Sequence, residues 1–274
     1  MMGAMVPFFP QLALLLSLAA PPASVPLIHT TDLFHPPVDP DDYFDLATLF
    51  AFPEFDIRAV IFDDDRKFTV GPFPKNQPPR RPGFEPLQKL AAVFDRRPPP
   101  AAAGPMDPFP APVSRTQPGL ELFLRALRES ASPAVVTVVG SARIVAAAFA
   151  QEPRLLREKI RVVLLNAGSS DDLPELEWNV SLDPRAYAVL LRSGLPIDWY
   201  PCAAQGPPKS GPFAYGPRNT FWKASQSELL QDLPQPLLDW FFAAFSGKTR
   251  DQILGMNRNM WSTASLALAA GRVL

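Results

Sequence analysis

The sequence predicts an α/β domain built on a mainly parallel sheet with helices on both faces. Two observations predict it. Residues 134–139 and 161–165 are almost wholly apolar, as strands buried on both faces of a parallel sheet are. Segments of helical periodicity precede, separate and follow these runs, and this alternation favours parallel strands joined by helical crossovers. A chain of 274 residues is long enough to bury a sizeable core of this kind.

The N-terminal segment, residues 1–24, predicts a secretory signal peptide. Its apolar run, residues 12–20, is too short to span a bilayer, and Pro21 and Pro22 would end any helix. No Lys or Arg precedes the run, so a disordered N-terminus is the alternative. The folded domain is then residues 25–274. A signal peptide predicts a secreted or periplasmic protein, and its absence a cytoplasmic one.

The overall charge and the cysteine content exclude several classes of function. The formal net charge of −1 gives no electrostatic reason to expect nucleic acid or an anionic membrane as a partner. A single cysteine, Cys202, excludes an internal disulfide and a cysteine-based zinc cluster, and we expect it to be a buried apolar side chain. A homo-oligomer is compatible with this composition.

A strand, an acidic loop and a helix are predicted in succession over residues 25–47, VPLIHTTDLFHPPVDPDDYFDLA. The strand ends at Asp32, the loop carries Asp39, and Asp41 and Asp42 begin the helix. One interpretation is helix capping with an acidic first turn. Four carboxylates exceed that need, and at about 4 Å like charges repel by a few kcal/mol. A hard cation with oxygen ligands would relieve the repulsion, and this end of a strand is where open α/β sheets bind ligands.

The next elements continue the alternation. Residues 44–52 are predicted as a helix ended by Pro53, and residues 57–62 as a strand. Three further aspartates, residues 63–65, follow this strand. We expect them to form a solvated loop with local ion pairs, and metal binding is the alternative.

Residues 66–118 form a proline-rich loop region. The chain has 35 prolines, and many of them lie here. One helix is predicted inside the region, at residues 86–94. The remainder is interpreted either as a linker or polyproline segment, or as a long loop over a binding cleft.

Regular secondary structure is predicted again after the proline-rich region. Two helices are predicted at residues 120–129 and 144–150, on either side of the first apolar strand. The C-terminal part is rich in aromatic residues, with helices predicted at residues 237–245 and 261–274. Aromatic faces suit a nucleobase or sugar ring, and core packing is the alternative.

The stretch LEWNVSLDPRAYAVLLRSGLPIDWYPC carries polar residues of two kinds. Asp183 and Pro184 are interpreted as a helix cap followed by proline at the first helical position. Glu177 and Asn179 alternate on an extended segment and so point the same way. Together they could bind sugar hydroxyls, and a loop salt bridge is the alternative.

These motifs resemble the inosine/uridine-preferring nucleoside hydrolase family. In that family a strand ends in Asp-x-Asp and an Asp-Asp pair opens a helix. Here Thr30-Thr31-Asp32 stands where Asp-x-Asp is expected, and Asp41-Asp42 stands at the pair. The stretch VTVVGSARI resembles the family's strand ending in Gly-Pro-Leu-Thr-Asn, and Arg143 stands at the threonine. Glu-Trp-Asn, beginning at Glu177, resembles the family's Glu-Phe-Asn. The resemblance implies a Rossmann-like nucleoside hydrolase architecture.

The resemblance also implies an activity: calcium-dependent hydrolysis of the N-glycosidic bond of a ribonucleoside or related ribosyl compound. Asp32, by position, would take the proton of the attacking water. The ribose would be held by Asp41, Glu177 and Asn179. The Ca²⁺ ligands implied are Asp42, either Asp32 or Asp39, and the backbone carbonyl of Arg143.

Three departures separate this chain from the family pattern. The loop LFHPPVDP replaces a tight Pro-Gly turn, which leaves open whether Asp32 or Asp39 is the second metal ligand. Ile144 replaces the family's asparagine. The His-Asp pair near the family's C-terminus is absent, since His29 and His35 are the only histidines. The resemblance with these departures therefore predicts a divergent or C-terminally truncated member of the family.

Two alternatives to the hydrolase follow from these departures. One is a non-catalytic sugar- or nucleoside-binding protein with an incomplete metal site. The other is an unrelated calcium-stabilised α/β domain in which the acidic loop is structural.

Overall fold

A computed structural model describes most of the predicted domain. Several predicted features lie outside the described residues: the signal peptide, His35, Asp39, Asp64 and Asp65, and the first part of the proline-rich region. The described residues are 24–33, 41–63, 83–170, 176–202, 220–245 and 247–272.

The centre of the described fold is a six-stranded sheet in which all neighbouring strands run parallel. Its spatial order is 3-2-1-4-5-6, so successive strands extend the sheet first in one direction and then, after the third, in the other. This confirms the predicted α/β fold. The strands are β1 (Val25–Thr31), β2 (Phe55–Phe62), β3 (Ala101–Ala103), β4 (Ala134–Val139), β5 (Ile160–Asn166) and β6 (Ile197–Tyr200).

Eleven helices and a second, two-stranded sheet complete the part of the chain that the structure describes. The second sheet pairs β7 (Trp222–Ser225) with β8 (Asn257–Met260) in antiparallel fashion. The helices are α1 (Asp41–Ala51), α2 (Phe84–Val93), α3 (Pro118–Glu129), α4 (Arg143–Gln151), α5 (Pro153–Lys159), α6 (Trp178–Leu182), α7 (Pro184–Arg192), α8 (Gln226–Leu230), α9 (Gln235–Ala243), α10 (Arg250–Leu254) and α11 (Thr263–Ala269).

The main sheet is covered on both faces by helices that pack against its mostly apolar strands. Neighbouring residues of β1 point to opposite faces. Ile28 packs with α3, α4 and α7, whereas Leu27 packs with Leu49 of α1 and Leu266 of α11. A third cluster joins α1 and α2 to α9 through Phe44 and Phe241, whose ring centroids are 4.6 Å apart. No described helix is long and apolar enough to cross a bilayer.

Several element boundaries differ from the sequence-based prediction. α1 begins at Asp41 and not at residue 44, because the acidic first turn extends the helix beyond its apolar stripe. β3 lies inside the proline-rich region, where three alanines gave no strand pattern. The last helix spans only Thr263–Ala269, and Gly271 after it has a positive φ of 73°. Cys202 is buried, as predicted.

His29 lies in the middle of β1 and is fully buried. Its Nδ1 atom is 2.6 Å from the Oγ1 atom of Thr137 on β4, and its Nε2 atom has no hydrogen-bond partner among the described residues. Burial lowers the pKa of His29 from 6.5 to about 3. The imidazole of His29 is therefore neutral at physiological pH. Because it is fully buried, it does not serve as a general acid or metal ligand in an exposed site.

We expect His29 to make the fold sensitive to acid. Between pH 6.5 and about 3 the unfolded chain binds a proton that the folded chain does not. Stability should therefore fall with decreasing pH across that window, by about 1.4 kcal/mol per pH unit from this group. Urea unfolding of wild type and His29→Gln at several pH values measures it. The variant should lose this part of the slope. Equal slopes in the two proteins would contradict the assignment.

Candidate functional site

The loops that follow β1, β2, β4 and β5 meet at the carboxyl ends of the parallel strands, beside the point where the strand order reverses. In an open parallel sheet, this crevice is where ligands bind. Asp32 follows β1, and its backbone N–H donates to the carbonyl of Val139 at the end of β4, 3.0 Å away. Asp63 follows β2, and its N–H donates to the carbonyl of Thr31. The chain thus brings its first acidic residues together at the switch point.

Asp32 and Asp42 form a buried pair in this crevice, hereafter the acidic pair. Their carboxyl groups lie close enough for each to affect the pKa of the other, and the two residues are 5% and 3% exposed. Burial raises the pKa of both carboxyls well above the usual value. Negative charges raise them further: Asp63 and Asp41 act on Asp32, and Asp32 and Asp45 act on Asp42.

One oxygen of the acidic pair is without a protein partner. The Oδ1 atom of Asp42 is buried and makes no hydrogen bond to any described residue. The hydroxyl of Thr31 lies close enough to favour the charged form of Asp42 but does not meet the geometry of a hydrogen bond. A buried, unsatisfied carboxylate oxygen is costly, which points to a ligand at this position.

Asp63 serves the loop after β4. Its two carboxylate oxygens accept hydrogen bonds from the backbone N–H and the hydroxyl of Ser141, at 2.5 and 2.9 Å. Gly140 is required beside it, because a Cβ atom there would lie 2.4 Å from Asp63 Oδ2. Asp63 therefore holds this loop in place and, through its charge, acts on Asp32. The predicted solvated loop is wrong for Asp63, which is buried because its carboxylate replaces water with these two donors.

Glu177 and Asn179 lie at the loop after β5. Glu177 caps α6: its carboxylate accepts backbone N–H groups of Gly168, Asn179 and Val180 at 2.8, 3.1 and 3.2 Å. Burial raises its pKa, and these three donors oppose the rise. The amide of Asn179 donates to the carbonyl of Asn166, 3.2 Å away. Both side chains thus hold the loop in place, and Asn179 lies in the first turn of α6 instead of on an extended segment.

Trp178 joins this loop to the acidic pair. Its indole Nε1–H donates to Asp32 Oδ2 across 3.2 Å, a contact between residues 146 positions apart. The predicted ribose-binding residues Glu177 and Asn179 are therefore adjacent in sequence to a residue that touches Asp32. Trp178 is a site residue that sequence reasoning missed. The available signal was a tryptophan where the resembling motif has phenylalanine.

Arg143 begins α4, and its side chain is buried. The guanidinium pairs with Asp183 at 3.0 Å and donates to the carbonyls of Pro105, Met106 and Leu182. Asp183 also caps α7 by accepting the N–H of Ala186, as predicted. The residue before Arg143, Ala142, has a positive φ of 55°. The pair thus holds the turn at which Arg143 presents its backbone, and the predicted role of its carbonyl stays a prediction.

Asp45 is a further buried acid that the sequence reading did not use. It accepts a hydrogen bond from Ser262 Oγ at 2.5 Å, which joins α1 to the start of α11. Burial raises the pKa of Asp45 to about 7. Its signal was an aspartate among the apolar positions of α1.

The acidic pair meets part of what a hard cation requires. Calcium takes six to eight oxygen ligands, from carboxylates, carbonyls and water. The described residues hold no group of three or more His, Cys, Asp or Glu side chains placed to bind a metal. Asp39, the other predicted carboxylate ligand, lies outside them. Two adjacent buried carboxylates with an unsatisfied oxygen nevertheless fit a cation, which would neutralise their repulsion.

Comparison with known proteins gives the first functional context. No family model matches the chain. Over 96 residues, or 34% of this chain, it is 31% identical to pyrimidine-specific ribonucleoside hydrolase RihA from Citrobacter koseri and from Escherichia coli O139:H28. The matched region spans 31% of the length of these relatives.

Solved structures match over much more of the chain. A plant nucleoside hydrolase, PpNRh1, has a TM-score of 0.57 at 14% identity, covering 90% of this chain and 78% of its own. A purine-preferring ribonucleoside hydrolase from Gardnerella vaginalis gives 0.52 at 14% identity, with coverages of 89% and 79%. The effector XopQ, in complex with adenosine diphosphate ribose, gives 0.53 at 16% identity, with coverages of 82% and 66%. These matches confirm the Rossmann-like architecture that nucleoside hydrolases have.

We expect the buried pair of Arg143 and Asp183 to be essential for stability. Asp183→Asn leaves the guanidinium buried without its counter-charge and should lower the free energy of unfolding by about 3 kcal/mol. Urea unfolding measures the change. The control is Glu158→Gln, which breaks the exposed ion pair of Arg154 and Glu158 and should cost less than about 1 kcal/mol. Equal losses of unfolding free energy in the two variants would show that the buried pair stabilises the fold no more than the exposed pair does.

Proposed function

We propose that this chain, related in sequence and fold to the nucleoside hydrolases, hydrolyses the N-glycosidic bond of a ribonucleoside or a related ribosyl compound with the help of Ca²⁺. The observation that carries the proposal is the acidic pair: Asp32 and Asp42 are buried side by side at the switch point of the sheet, with a carboxylate oxygen unsatisfied. The pyrimidine-specific RihA relatives and the purine-preferring neighbour leave the base open.

Residues of the chain divide into two groups by what they would hold. Asp42, with Asp32 or Asp39 and the backbone carbonyl of Arg143, would bind the cation. When bound, Ca²⁺ would make water more acidic and provide positive charge for the ribose hydroxyls. Asp41, the half-buried first residue of α1, would accept a hydrogen bond from the ribose.

The proton and the sugar are then handled by protein groups. Asp32 would accept the proton of the attacking water, since it is buried in the crevice and is held by Trp178 and by the end of β4. Glu177 and Asn179 would hold the ribose as well as the loop, because a carboxylate has about four acceptor positions and Glu177 uses three. Fixing the sugar in this way converts binding energy into orientation toward an oxocarbenium-like transition state.

Loss of the Asp32 carboxylate should abolish most of the activity. Release of ribose from inosine and from uridine is measured as reducing sugar for wild type and Asp32→Asn. Removing a general base should lower kcat about a hundredfold or more. Asp239→Asn changes an exposed aspartate on α9 and should leave kcat unaltered. Wild-type turnover at the level of heat-inactivated protein would reject the hydrolase.

Ca²⁺ should stabilise the folded chain through the acidic pair. At a hundredfold excess over Kd, a ligand specific for the folded state adds about 2.7 kcal/mol to the free energy of unfolding. We expect this gain for wild type and its loss in Asp42→Asn. In EDTA the variant should be the more stable of the two, because one of two repelling charges is gone. Calorimetric unfolding with and without Ca²⁺ decides; an equal gain in both proteins would place the ion elsewhere.

The second candidate is a protein that binds a nucleoside or ribosyl compound without cleaving it. Two observations favour it: the described residues offer the acidic pair but no third side-chain ligand, and most acceptor positions of Glu177 are engaged by backbone. One fold neighbour, XopQ, has been solved with adenosine diphosphate ribose bound. Calorimetric binding of ribose or inosine without release of sugar would support this candidate.

A further inference from the structure

We propose that Trp178 is a positioning residue for Asp32: its indole N–H holds Asp32 Oδ2, so that the remaining oxygen of Asp32 is directed, with Asp42, at a bound divalent cation. This inference rests on the proposed function, because it gives the contact a purpose only if the acidic pair binds a cation.

The hydrogen bond is the first step of the argument. Trp178 Nε1 lies 3.2 Å from Asp32 Oδ2. An indole N–H only donates, so it binds a carboxylate oxygen and has no lone pair to repel it. Asp32 is surrounded by like charges on Asp41 and Asp63. A neutral donor at one oxygen orients the Asp32 carboxylate and leaves its charge for a cation. A lysine or arginine at this position would instead compete with the cation for that charge.

The rigidity of Trp178 is the second step. Trp178 is the first residue of α6, and the residue before it, Glu177, binds three backbone N–H groups across the base of that helix. One of those groups belongs to Gly168, in the loop after β5. The indole is therefore positioned by the sheet itself, through a chain of contacts from β5 to Glu177 to Trp178 to Asp32.

The consequence for metal binding is the third step. Carboxylates that ligate a metal are usually held by hydrogen bonds from a further shell of residues, and loss of such a partner typically costs 10- to 100-fold in affinity or activity. Among the described residues, Trp178 donates the side-chain hydrogen bond that holds Asp32 Oδ2. The phenylalanine of the resembling motif cannot make this bond, so Trp178→Phe removes the N–H and keeps an aromatic ring.

The experiment uses two ions. Tb³⁺ replaces Ca²⁺ in oxygen sites and luminesces when a nearby tryptophan is excited, so its emission reports an indole at the metal. Wild type, Trp178→Phe and Trp222→Phe are titrated with Tb³⁺, and the Kd for Ca²⁺ is measured by competition and by calorimetry. Trp222→Phe is the matched control, because it also removes an indole N–H bond, to Thr263 Oγ1 at 2.8 Å. Unfolding in EDTA verifies that both variants fold.

The expected result has two parts. Trp178→Phe should lose most of the sensitised Tb³⁺ emission and bind Ca²⁺ at least about tenfold more weakly, while Trp222→Phe resembles wild type. In the hydrolysis assay at saturating Ca²⁺, Trp178→Phe should lower kcat more than it changes KM. A purely packing role would lower thermal stability without altering the Ca²⁺ affinity, and any loss of emission would then report only the removal of an indole near the ion.

Other outcomes separate this inference from the proposed function. Unchanged emission and Ca²⁺ affinity in Trp178→Phe, with hydrolysis intact, overturn the role of Trp178 alone. A wild type that binds neither ion overturns the role of Trp178 together with the metal site. A wild type that binds both ions through Trp178 but releases no sugar overturns the hydrolase and supports the role of Trp178.

Discussion

The repulsion between two buried carboxylates is the constraint on which the rest of the site depends. Charges about 4 Å apart repel by roughly 4 kcal/mol at an effective dielectric of 20, and burial adds the cost of removing each charge from water. Asp32 and Asp42 are both buried and in contact, so the folded chain must supply a shared proton or a cation between them. The fold also supplies lesser compensation: the N-terminal end of α1 favours the negative charge of Asp42, and Trp178 donates to Asp32.

The loops around the acidic pair are held by polar side chains that bind backbone groups. Asp63 binds the loop after β4, Glu177 the loop after β5, and Arg143 the segment before α3. Such contacts give hydrogen-bond partners to buried backbone N–H and carbonyl groups that have none within a helix or sheet. Polar side chains that could bind a ligand are thus also the ones that hold the loops of the crevice in place. A substitution at Glu177 would change both the sugar site and the position of Trp178, which makes Trp178→Phe the cleaner probe.

The parts of the fold that sequence predicts are those with local signals. β4 and β5 are almost wholly apolar, β1 begins with an apolar run, and the parallel order follows from the helices between the strands. Asp32 was identified because a strand end and a carboxylate are adjacent. β3 was not predicted, since three alanines acquire strand geometry only by pairing with β2. Trp178 and Asp45 were missed because their partners, Asp32 and Ser262, are 146 and 217 positions away, and no local pattern records such a contact.

Helix capping and ligand binding were competing interpretations of Asp41 and Asp42, and the geometry separates them. A capping carboxylate satisfies N–H groups at the start of its own helix. Asp42 instead contacts Asp32 and leaves Oδ1 without a partner among the described residues, so capping does not account for its burial. Had stability alone shaped this position, asparagine would keep the size and remove the repulsion. An aspartate held there at a cost to the ion-free fold is explained by a positively charged occupant, and a ribosyl substrate that binds beside that occupant gives the crevice its use.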